Sequence, residues 1–482
     1  MAGNGDTTWL RGGERHLVSR FSYGVTPALA SDVRRAGGAE AWFERQITRP
    51  GAIADAPANR VRGWWPDLDR SPAEVWQRQV DEVRGGWEVM ADYGRWLMVR
   101  RITTRRQVHE KMTEFWEAFL HVPVSGDAQF TWRADYGNTI RRHALGRFDR
   151  MLVAAVTHPA MLIHLSAATS TKRAPNENLG RELLELFTLG AGNFTEDDVK
   201  ASARILTGWS VDLWKSWRAT YEPEDHATGP VKVRDFSHPN KAADGRKVTR
   251  LYLEHLAHHP LTARRVAHRL ATKFVREDPP QSLVRRLART YLKHDTRIVP
   301  VLRELVASKE FRASAGAKLR DPAEDVVATY RALGAKLHRP TDSQSAANAV
   351  LWQAQSIGLT PHGWPRPDGS PVDDSTWASP GRAMASLDVH WAMAGGWWPT
   401  QGVAYRQPAS WIPKKGIRFR DLVDDVSLDL LHRSASKRLL TTACLATGCR
   451  PKERIDRSHE LATWAFPRLL AAVLDSPEHY SC

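Results

Sequence analysis

Residues 174–190, in the middle of the chain, read APNENLGRELLELFTLG. On a helix with 100° per residue, the leucines and Phe187 fill one side, and the polar side chains fill an arc of about 140° on the other. Asn176 is a suitable N-cap, acidic residues follow in the first turns, and Gly190 is a natural stop just beyond the last turn. The pattern therefore predicts one amphipathic helix between Asn176 and Gly190.

The polar arc of this helix is the strongest candidate for a functional site. Its side chains are those of Glu177, Asn178, Arg181, Glu182, Glu185 and Thr188. If the arc faces solvent, Arg181 forms i,i+4 ion pairs with Glu177 and Glu185 that contribute ~0.3–0.5 kcal/mol each. If it lines a cleft, its three carboxylates raise one another's pKa and supply a general acid or base, or bind a hard cation such as Mg²⁺ or Ca²⁺. Both interpretations stay open at this point.

Length and composition indicate a globular protein with a large core. A chain of 482 residues can form two or three domains, and 42% hydrophobic with 26% charged residues is typical of globular chains. The sequence lacks any run of about 18 apolar residues, and its first residues lack the features of a signal peptide. We therefore expect no membrane span and a cytoplasmic location, with export alongside a partner as an open alternative.

Helical periodicity through most of the sequence predicts a mostly α fold. Residues 214–244 contain the alternating run Val231-Lys232-Val233, which predicts a small irregular or β insertion. A loop region rich in Trp, Gly and Pro follows from residue 362. We expect a multi-helix main body over residues 1–334 and a C-terminal helical region over 335–482 packed on it, with one continuous domain as the alternative.

The net charge of +15 predicts attraction to anions. Two basic stripes with a spacing of four residues lie in the predicted helices near the middle of the chain. They consist of Arg265, Arg269 and Lys273, and of Arg285, Arg289 and Lys293. Such stripes would bind phosphate or carboxylate groups, and the twenty tryptophans offer surfaces on which nucleic-acid bases stack. A solvated face without a ligand is the alternative.

Histidines and cysteines supply weaker candidates. His121 is one of several histidines that can act as a general base near neutral pH. His255 and His259 share a helix face, but no carboxylate at a fixed spacing completes a metal site. The three cysteines are too few for a disulfide framework, so we expect ordinary thiols.

Four motifs occur in a fixed order along the chain. They are His16-Leu17 with Phe21-Ser22-Tyr23-Gly24, the stretch from Pro175 to Gly190, Leu206-Thr207-Gly208-Trp209, and Gly363-Trp364-Pro365. Together they resemble the bacterial domain-of-unknown-function family numbered 1800, over nearly the whole chain. The resemblance implies a large, mostly helical bacterial protein whose biochemical role is unassigned, and whose relatives often look exported or are encoded beside an exported partner.

The chain departs from this family at one position. Where the family often carries Trp-x-Asn-His, this sequence reads Trp116-Glu117-Ala118-Phe119, so Ala118 and Phe119 replace the Asn-His pair. If that pair is catalytic or binds a metal in the family, this protein is impaired in that role.

The leading hypothesis is an enzyme of unassigned reaction that acts on a polar or anionic substrate. Its proposed acid–base or cation-binding residues are Glu177, Asn178, Glu182, Glu185 and His121, with Arg181 as their orienter and Trp364, Arg265 and Arg269 as substrate-binding residues. The sequence contains no Gly-rich phosphate loop, G-x-S-x-G elbow or His-Glu-x-x-His motif. The alternative is a non-catalytic binding or assembly protein that holds an acidic polymer, nucleic acid or partner protein on its basic helices.

Overall fold

The computed structural model describes residues 9–482 and is mostly helical, with 58% of the residues in helices and a few two-stranded sheets. This confirms the predicted fold class. Polar N-caps begin many of the helices: Thr26 Oγ1 accepts the N–H of Leu29, and Thr195 forms a capping box with Asp198. No helix in this part of the chain is both long and apolar enough to cross a membrane.

The helices are short and follow one another closely. They span Gly12–Arg20, Pro27–Arg35, Ala39–Thr48, Ala56–Arg60, Pro72–Val80, Gly86–Thr103, Gln107–Phe119, Arg133–His143, Phe148–Val156, Pro159–His164, Glu177–Glu182, Glu196–Ile205, Arg246–His258, Pro260–Phe274, Gln281–Lys293, Ile298–Ala307, Lys309–Arg312, Pro322–Ala332, Ala346–Ile357, Pro380–Ala394, Phe419–Leu431, Lys437–Thr447, Phe466–Leu474 and Pro477–Tyr480. Leu183–Phe187 and Leu461–Ala465 are π-helical turns. We call Glu177–Glu182 together with Leu183–Phe187 the central helix.

The β structure among residues 9–482 consists of antiparallel pairs of very short strands. The pairs are Trp209–Val211 with Ala219–Tyr221, Val231–Val233 with Phe236–His238, Lys336–Leu337 with Val403–Ala404, and Ile417–Arg418 with Arg454–Ile455. The first two lie in and beside residues 214–244, where the sequence predicts a small β insertion. The exposed Trp214 and the buried Trp217 lie in the loop between the strands Trp209–Val211 and Ala219–Tyr221. The helices supply most of the core.

The buried apolar side chains form two clusters. The first contains residues between 10 and 47, between 108 and 168, and between 179 and 311, including the apolar side of the central helix. The second combines residues between 61 and 102 with residues between 323 and 474. An early segment of the chain thus packs with the C-terminal region. The predicted boundary between residues 334 and 335 stays a prediction.

The central helix crosses the helix Glu196–Ile205 at backbone distance. Gly180 lies at the crossing, where a Cβ would stand 3.0 Å from Ala203 N and 3.1 Å from Val199 O. Ser202 Oγ donates to Gly180 O across the same contact at 3.4 Å. A side chain at this position would push the two helices apart, so the glycine of the motif has a packing role.

We expect the substitution Gly180→Val to lower the free energy of unfolding by about 1–3 kcal/mol, because the added atoms overpack a backbone contact. Gly13→Val is the matched control, since Gly13 is also helical and has nothing within 4 Å of the position of a Cβ. Denaturant unfolding measures both free energies. Equal losses in the two variants would contradict the crossing as the cause.

Candidate functional site

The central helix changes from α to π geometry after Glu182. The prediction of one regular helix as far as Gly190 was therefore wrong for its second half. A π turn takes carbonyls out of the regular i→i+4 ladder, and they need other donors. Thr188 Oγ1 donates to Leu183 O at 2.6 Å, and Arg265 Nε donates to Leu186 O at 2.6 Å. Thr188 at the end of the π turn and Arg265 in the helix Pro260–Phe274 thus hold the turn in place.

The two asparagines of the motif hold the start of the central helix. Asn176 is its N-cap, as predicted, because its Oδ1 accepts the N–H of Asn178 at 2.9 Å. Asn176 Nδ2 donates to Ser166 O at 2.8 Å, and Asn178 Nδ2 donates to Leu165 O at 3.4 Å. Both amides therefore tie the helix to the turn that follows Pro159–His164. Asn178 has a structural contact, and its predicted catalytic role stays untested.

Glu177 and Arg181 are the charged residues at the outer end of the arc, and Arg181 is close enough to act electrostatically on Glu182 and Glu185. Glu177 is exposed. Arg181 forms a bidentate ion pair with Glu196 of the next helix, at 2.8 and 2.6 Å. The i,i+4 pairs of Arg181 with Glu177 and Glu185 that a solvated arc would hold are replaced by this contact, because the capping turn at Thr195 brings Glu196 within reach.

Glu182 and Glu185 occupy the inner end of the arc and are half-buried. Burial raises the pKa of Glu182, and the carboxylates of Glu185 and Asp368 raise it further, whereas Arg181 lowers it. Within residues 9–482, neither Glu182 nor Glu185 has a hydrogen-bond or ion-pair partner. Burial lowers the pKa of the Arg265 guanidinium and the charge of Glu185 raises it, which places Arg265 on the same side.

Asp368 belongs to residues 359–379, which we call the Trp364 loop. Trp364 Nε1 donates to Asp368 Oδ1 at 3.0 Å, so the indole and the carboxylate form one unit. The guanidinium of Arg366 lies 4.9 Å from the centre of the Trp364 ring. Asp368 was not a candidate in the sequence, because its proximity to Glu182 comes from the course of the loop and from no spacing along the chain.

Buried side chains anchor the Trp364 loop. His121 Nε2 lies 2.9 Å from Trp364 O, and Arg269 donates to Ala118 O at 3.1 Å beside the loop. Gly369 has a φ of +74°, and a Cβ there would lie 1.9 Å from Ala118 O. The loop therefore lies directly against the end of the helix Gln107–Phe119, at Ala118.

His121 is fully buried, and its pKa is lowered to about 3 by burial first and by the nearby His362 and Arg133 among others. At neutral pH it is a neutral imidazole whose Nε2–H donates to the loop. Its role as a general base stays a prediction, and its observed contact is with the carbonyl of Trp364.

A buried ionic group that the sequence analysis missed lies next to His121. Glu117 Oε1 accepts from Arg133 at 3.1 Å and from Tyr93 Oη at 2.8 Å, and Glu117 Oε2 lies 2.9 Å from His362 Nε2. The side chains of Glu117 and Arg133 are fully buried. Burial lowers the pKa of His362 and the charge of Glu117 raises it, while His362 and Arg133 together lower the pKa of Glu117. The only sign of this ionic group in the sequence is the charged Glu117 between the apolar residues Trp116 and Ala118.

The first basic stripe points inward. Arg269 is largely buried, and burial followed by the charge of Arg265 lowers its pKa to about 10. Lys273 Nζ lies 2.7 Å from Glu324 Oε1 and 3.3 Å from Glu114 Oε1. Arg269 and Lys273 thus hold carbonyls and carboxylates of the protein itself, and these two side chains leave little charge for an external anion.

The histidines and cysteines that were weaker candidates differ in their contacts. His255 Nε2 and His259 Nε2 lie 3.2 and 3.9 Å from Asp235 Oδ1, a carboxylate that the spacing did not indicate. Cys444, Cys449 and Cys482 are free thiols.

The structure brings together the inner part of the predicted site and separates the outer part. Those brought together are Glu182, Glu185, Arg265, Arg269, His121 and Trp364, joined by Asp368. Glu177, Asn178 and Arg181 lie at the outer end of the helix. In the described part of the chain, the groups of side chains whose ligand atoms lie within 4.8 Å of one another do not include Glu182, Glu185 and Asp368. A Mg²⁺ or Ca²⁺ ion at this face stays a prediction.

These features define a mostly helical protein in which a helix with a π turn meets an anchored Trp-containing loop. The family described as a protein of unknown function, DUF1800, matches residues 16–481. The chain belongs to this family, as its motifs indicated. No curated protein and no solved structure matches the chain significantly.

We expect Glu117→Gln to lower the free energy of unfolding at pH 7 by about 3–5 kcal/mol, because it leaves the buried Arg133 without its counter-charge. Burial alone would raise the pKa of Glu117, but His362 and Arg133 outweigh it and hold that pKa well below its usual range. The stabilisation is thus present above the unfolded pKa near 4.5 and is lost as the pH falls below it.

Denaturant unfolding of the wild type and Glu117→Gln between pH 4 and 7 tests this expectation. The exposed Glu224 supplies the matched control Glu224→Gln, which should change stability by less than ~0.5 kcal/mol. A difference between wild type and Glu117→Gln that does not shrink toward low pH would contradict the assigned ion pair.

Proposed function

We propose that the protein is an enzyme that acts on a polar or anionic substrate where the central helix meets the Trp364 loop. The observation that carries this proposal is the pair of half-buried carboxylates of Glu182 and Glu185, which lack partners within residues 9–482 and lie beside Asp368. Burial and the neighbouring carboxylates raise the pKa of Glu182, and a carboxyl group with a raised pKa can donate a proton to a substrate.

Each residue of this face has a defined role in the proposal. Glu182, whose pKa is raised by burial and by neighbouring carboxylates, is the proton donor, and Glu185 is the acceptor. Arg265 Nε is bound to Leu186 O, and the other nitrogens of its guanidinium anchor an anionic group of the substrate. Trp364, fixed by Asp368, forms a wall against which an apolar part of the substrate packs.

Stability arguments favour a ligand at this face over a plain solvated surface. Two like charges close together cost roughly 1–4 kcal/mol, depending on how far the site is removed from water. Several other acids removed from water in this chain have arginine partners, among them the buried Asp67 and Asp149 and the half-buried Glu310. An unpaired pair of carboxylates beside a third is compensated most directly when a ligand or a proton is bound.

The test is a panel of chromogenic esters, phosphoesters and glycosides assayed with the wild type, Glu182→Gln and the surface control Glu224→Gln. We expect one class to be turned over, with kcat/KM reduced roughly 10²–10⁴-fold in Glu182→Gln and unchanged in the control. Because the donor must be protonated, wild-type activity should fall as the pH rises through the pKa of Glu182. Turnover by Glu182→Gln at the wild-type rate, or no turnover by the wild type, contradicts the proposal.

A second candidate function is the binding of a polyanion by the outer basic stripe. Arg285, Arg289 and Lys293 are exposed along the helix Gln281–Lys293, and they have no ion-pair partner in the part of the chain that the structure describes. The opposite face of this helix is buried, so the stripe is held rigidly. This is the part of the predicted basic surface that an external acidic polymer or nucleic acid can reach.

Salt dependence tests this second candidate. Binding to short duplex DNA and to polyglutamate should weaken steeply as salt rises, and replacing the three basic residues by alanine should reduce the slope for DNA by about 2–3. A variant with alanine at Lys414, Lys415 and Arg418, which are also exposed, is the matched control. Loss of binding in the control alone, or no binding of either polymer at low salt, contradicts this function.

A further inference from the structure

A second polar cluster lies far along the chain from the central helix, among helices that form the C-terminal core. Asp325 is on the helix Pro322–Ala332, His390 is on Pro380–Ala394, and His479 is on the C-terminal helix Pro477–Tyr480. The exposed fractions of their side chains are 0%, 0% and 3%. Two imidazoles and a carboxylate at full burial need an explanation, because each is costly to remove from water.

We propose that Asp325, His390 and His479 form a binding site for a divalent transition-metal ion of the zinc type. His390 Nε2 lies 3.3 Å and His479 Nε2 lies 3.7 Å from the same atom, Asp325 Oδ1. All three atoms lie within 4.8 Å of one another. In a tetrahedral site with bonds of 2.0–2.1 Å, two ligand atoms are about 3.3 Å apart. The observed spacing is too long for strong hydrogen bonds and fits the edges of such a site.

The surrounding side chains prepare these atoms for a metal. His390 Nδ1 lies 2.8 Å from Asp475 Oδ1, so its N–H donates to a carboxylate, and its Nε2 faces Asp325 Oδ1, where a bound metal would replace the proton on Nε2. This carboxylate–histidine pair is the usual outer partner of a metal-bound imidazole. Ser386 Oγ and Arg382 donate to Asp325 Oδ2 at 2.8 and 3.1 Å. They hold the carboxylate through one oxygen and leave Oδ1 for the ion.

His479 supplies both the third ligand and a route to the site. Thr329 Oγ1 donates its proton to Asp325 O at 2.9 Å and lies 3.0 Å from His479 Nε2, so it accepts from Nε2–H until a metal ion takes the place of that proton. His479 also lines a cavity of about 70 Å³ together with Arg320, Ser481 and Glu478. A space of this size holds water, which can complete the coordination of an ion with three protein ligands.

Another cluster of potential ligands serves as the internal control. Cys449, Glu453 and His459 also place their ligand atoms within 4.8 Å of one another. However, His459 Nδ1 accepts the N–H of Leu461 at 3.1 Å, so the neutral ring carries its proton on Nε2, the atom that faces Glu453. Glu453 and His459 are only half-buried, so water can satisfy their polar atoms and this cluster needs no metal ion, whereas all three residues of the proposed site are buried.

The experiment uses the full-length protein and measures metal content by mass spectrometry, before and after dialysis against EDTA, followed by titration with Zn²⁺ and Co²⁺. We expect one equivalent of metal, a visible Co²⁺ absorption band typical of tetrahedral coordination, and a Tm that EDTA lowers and Zn²⁺ restores. His479→Gln should lose the metal, whereas His459→Gln should retain it. Asp475→Asn should bind about 10–100-fold more weakly, as expected for an outer partner.

Two outcomes would overturn the proposal. The first is a wild type that binds neither Zn²⁺ nor Co²⁺ and has the same Tm with and without EDTA. A proton on His390, shared between Asp325 and Asp475, would then account for the geometry. The second is a stoichiometric metal that His459→Gln removes and His479→Gln retains. If His479→Gln fails to fold, the wild-type metal content and the affinity of Asp475→Asn decide the question.

Discussion

Buried backbone carbonyls that lie outside regular secondary structure have to be satisfied, and the candidate site depends on how this is done. Leu186 lies in the last turn of the central helix, where carbonyls have no intrahelical donor, and Arg265 supplies one. The Trp364 loop has the same requirement along its buried side, where His121, Arg269 and Lys318 meet its carbonyls. An unpaired buried carbonyl costs about 1–3 kcal/mol, so these contacts determine where both irregular segments lie.

This requirement also explains which parts of the molecule were predictable from the sequence. The fold class, the N-caps at Thr26, Asn176 and Thr195, and the small β insertion follow from periodicity and local hydrogen bonding, which depend on neighbouring residues. The π turn does not. The carbonyl of Leu186 is bound by Arg265, which is far from Leu186 in the sequence. The residues around a leucine do not indicate whether its carbonyl will have a donor within the helix.

The charged residues were the least predictable, for a related reason. Arg265, Arg269 and Lys273 recur every four residues, as on a solvated helix face, yet they contact carbonyls and carboxylates brought from distant segments. The spacing of basic residues along a helix shows which face they share. It does not show which groups of distant segments their long side chains contact. For the same reason the sequence did not indicate Glu117, Arg133 and Asp368, whose partners come together only in the folded chain.

The carboxylates of Glu182 and Glu185 differ from buried acids such as Glu117 and Glu324, which have basic partners. In a chain with a net charge of +15, basic side chains are abundant, and they reach even fully buried acids such as Glu117 and Glu324. Glu182 and Glu185 lie beside Arg265, whose Nε is committed to Leu186 O. The end of the central helix therefore holds Arg265 on the backbone while the two carboxylates stay together. The same structural feature that shapes the helix also leaves these acids available, which connects the irregular backbone to the chemistry proposed for this face.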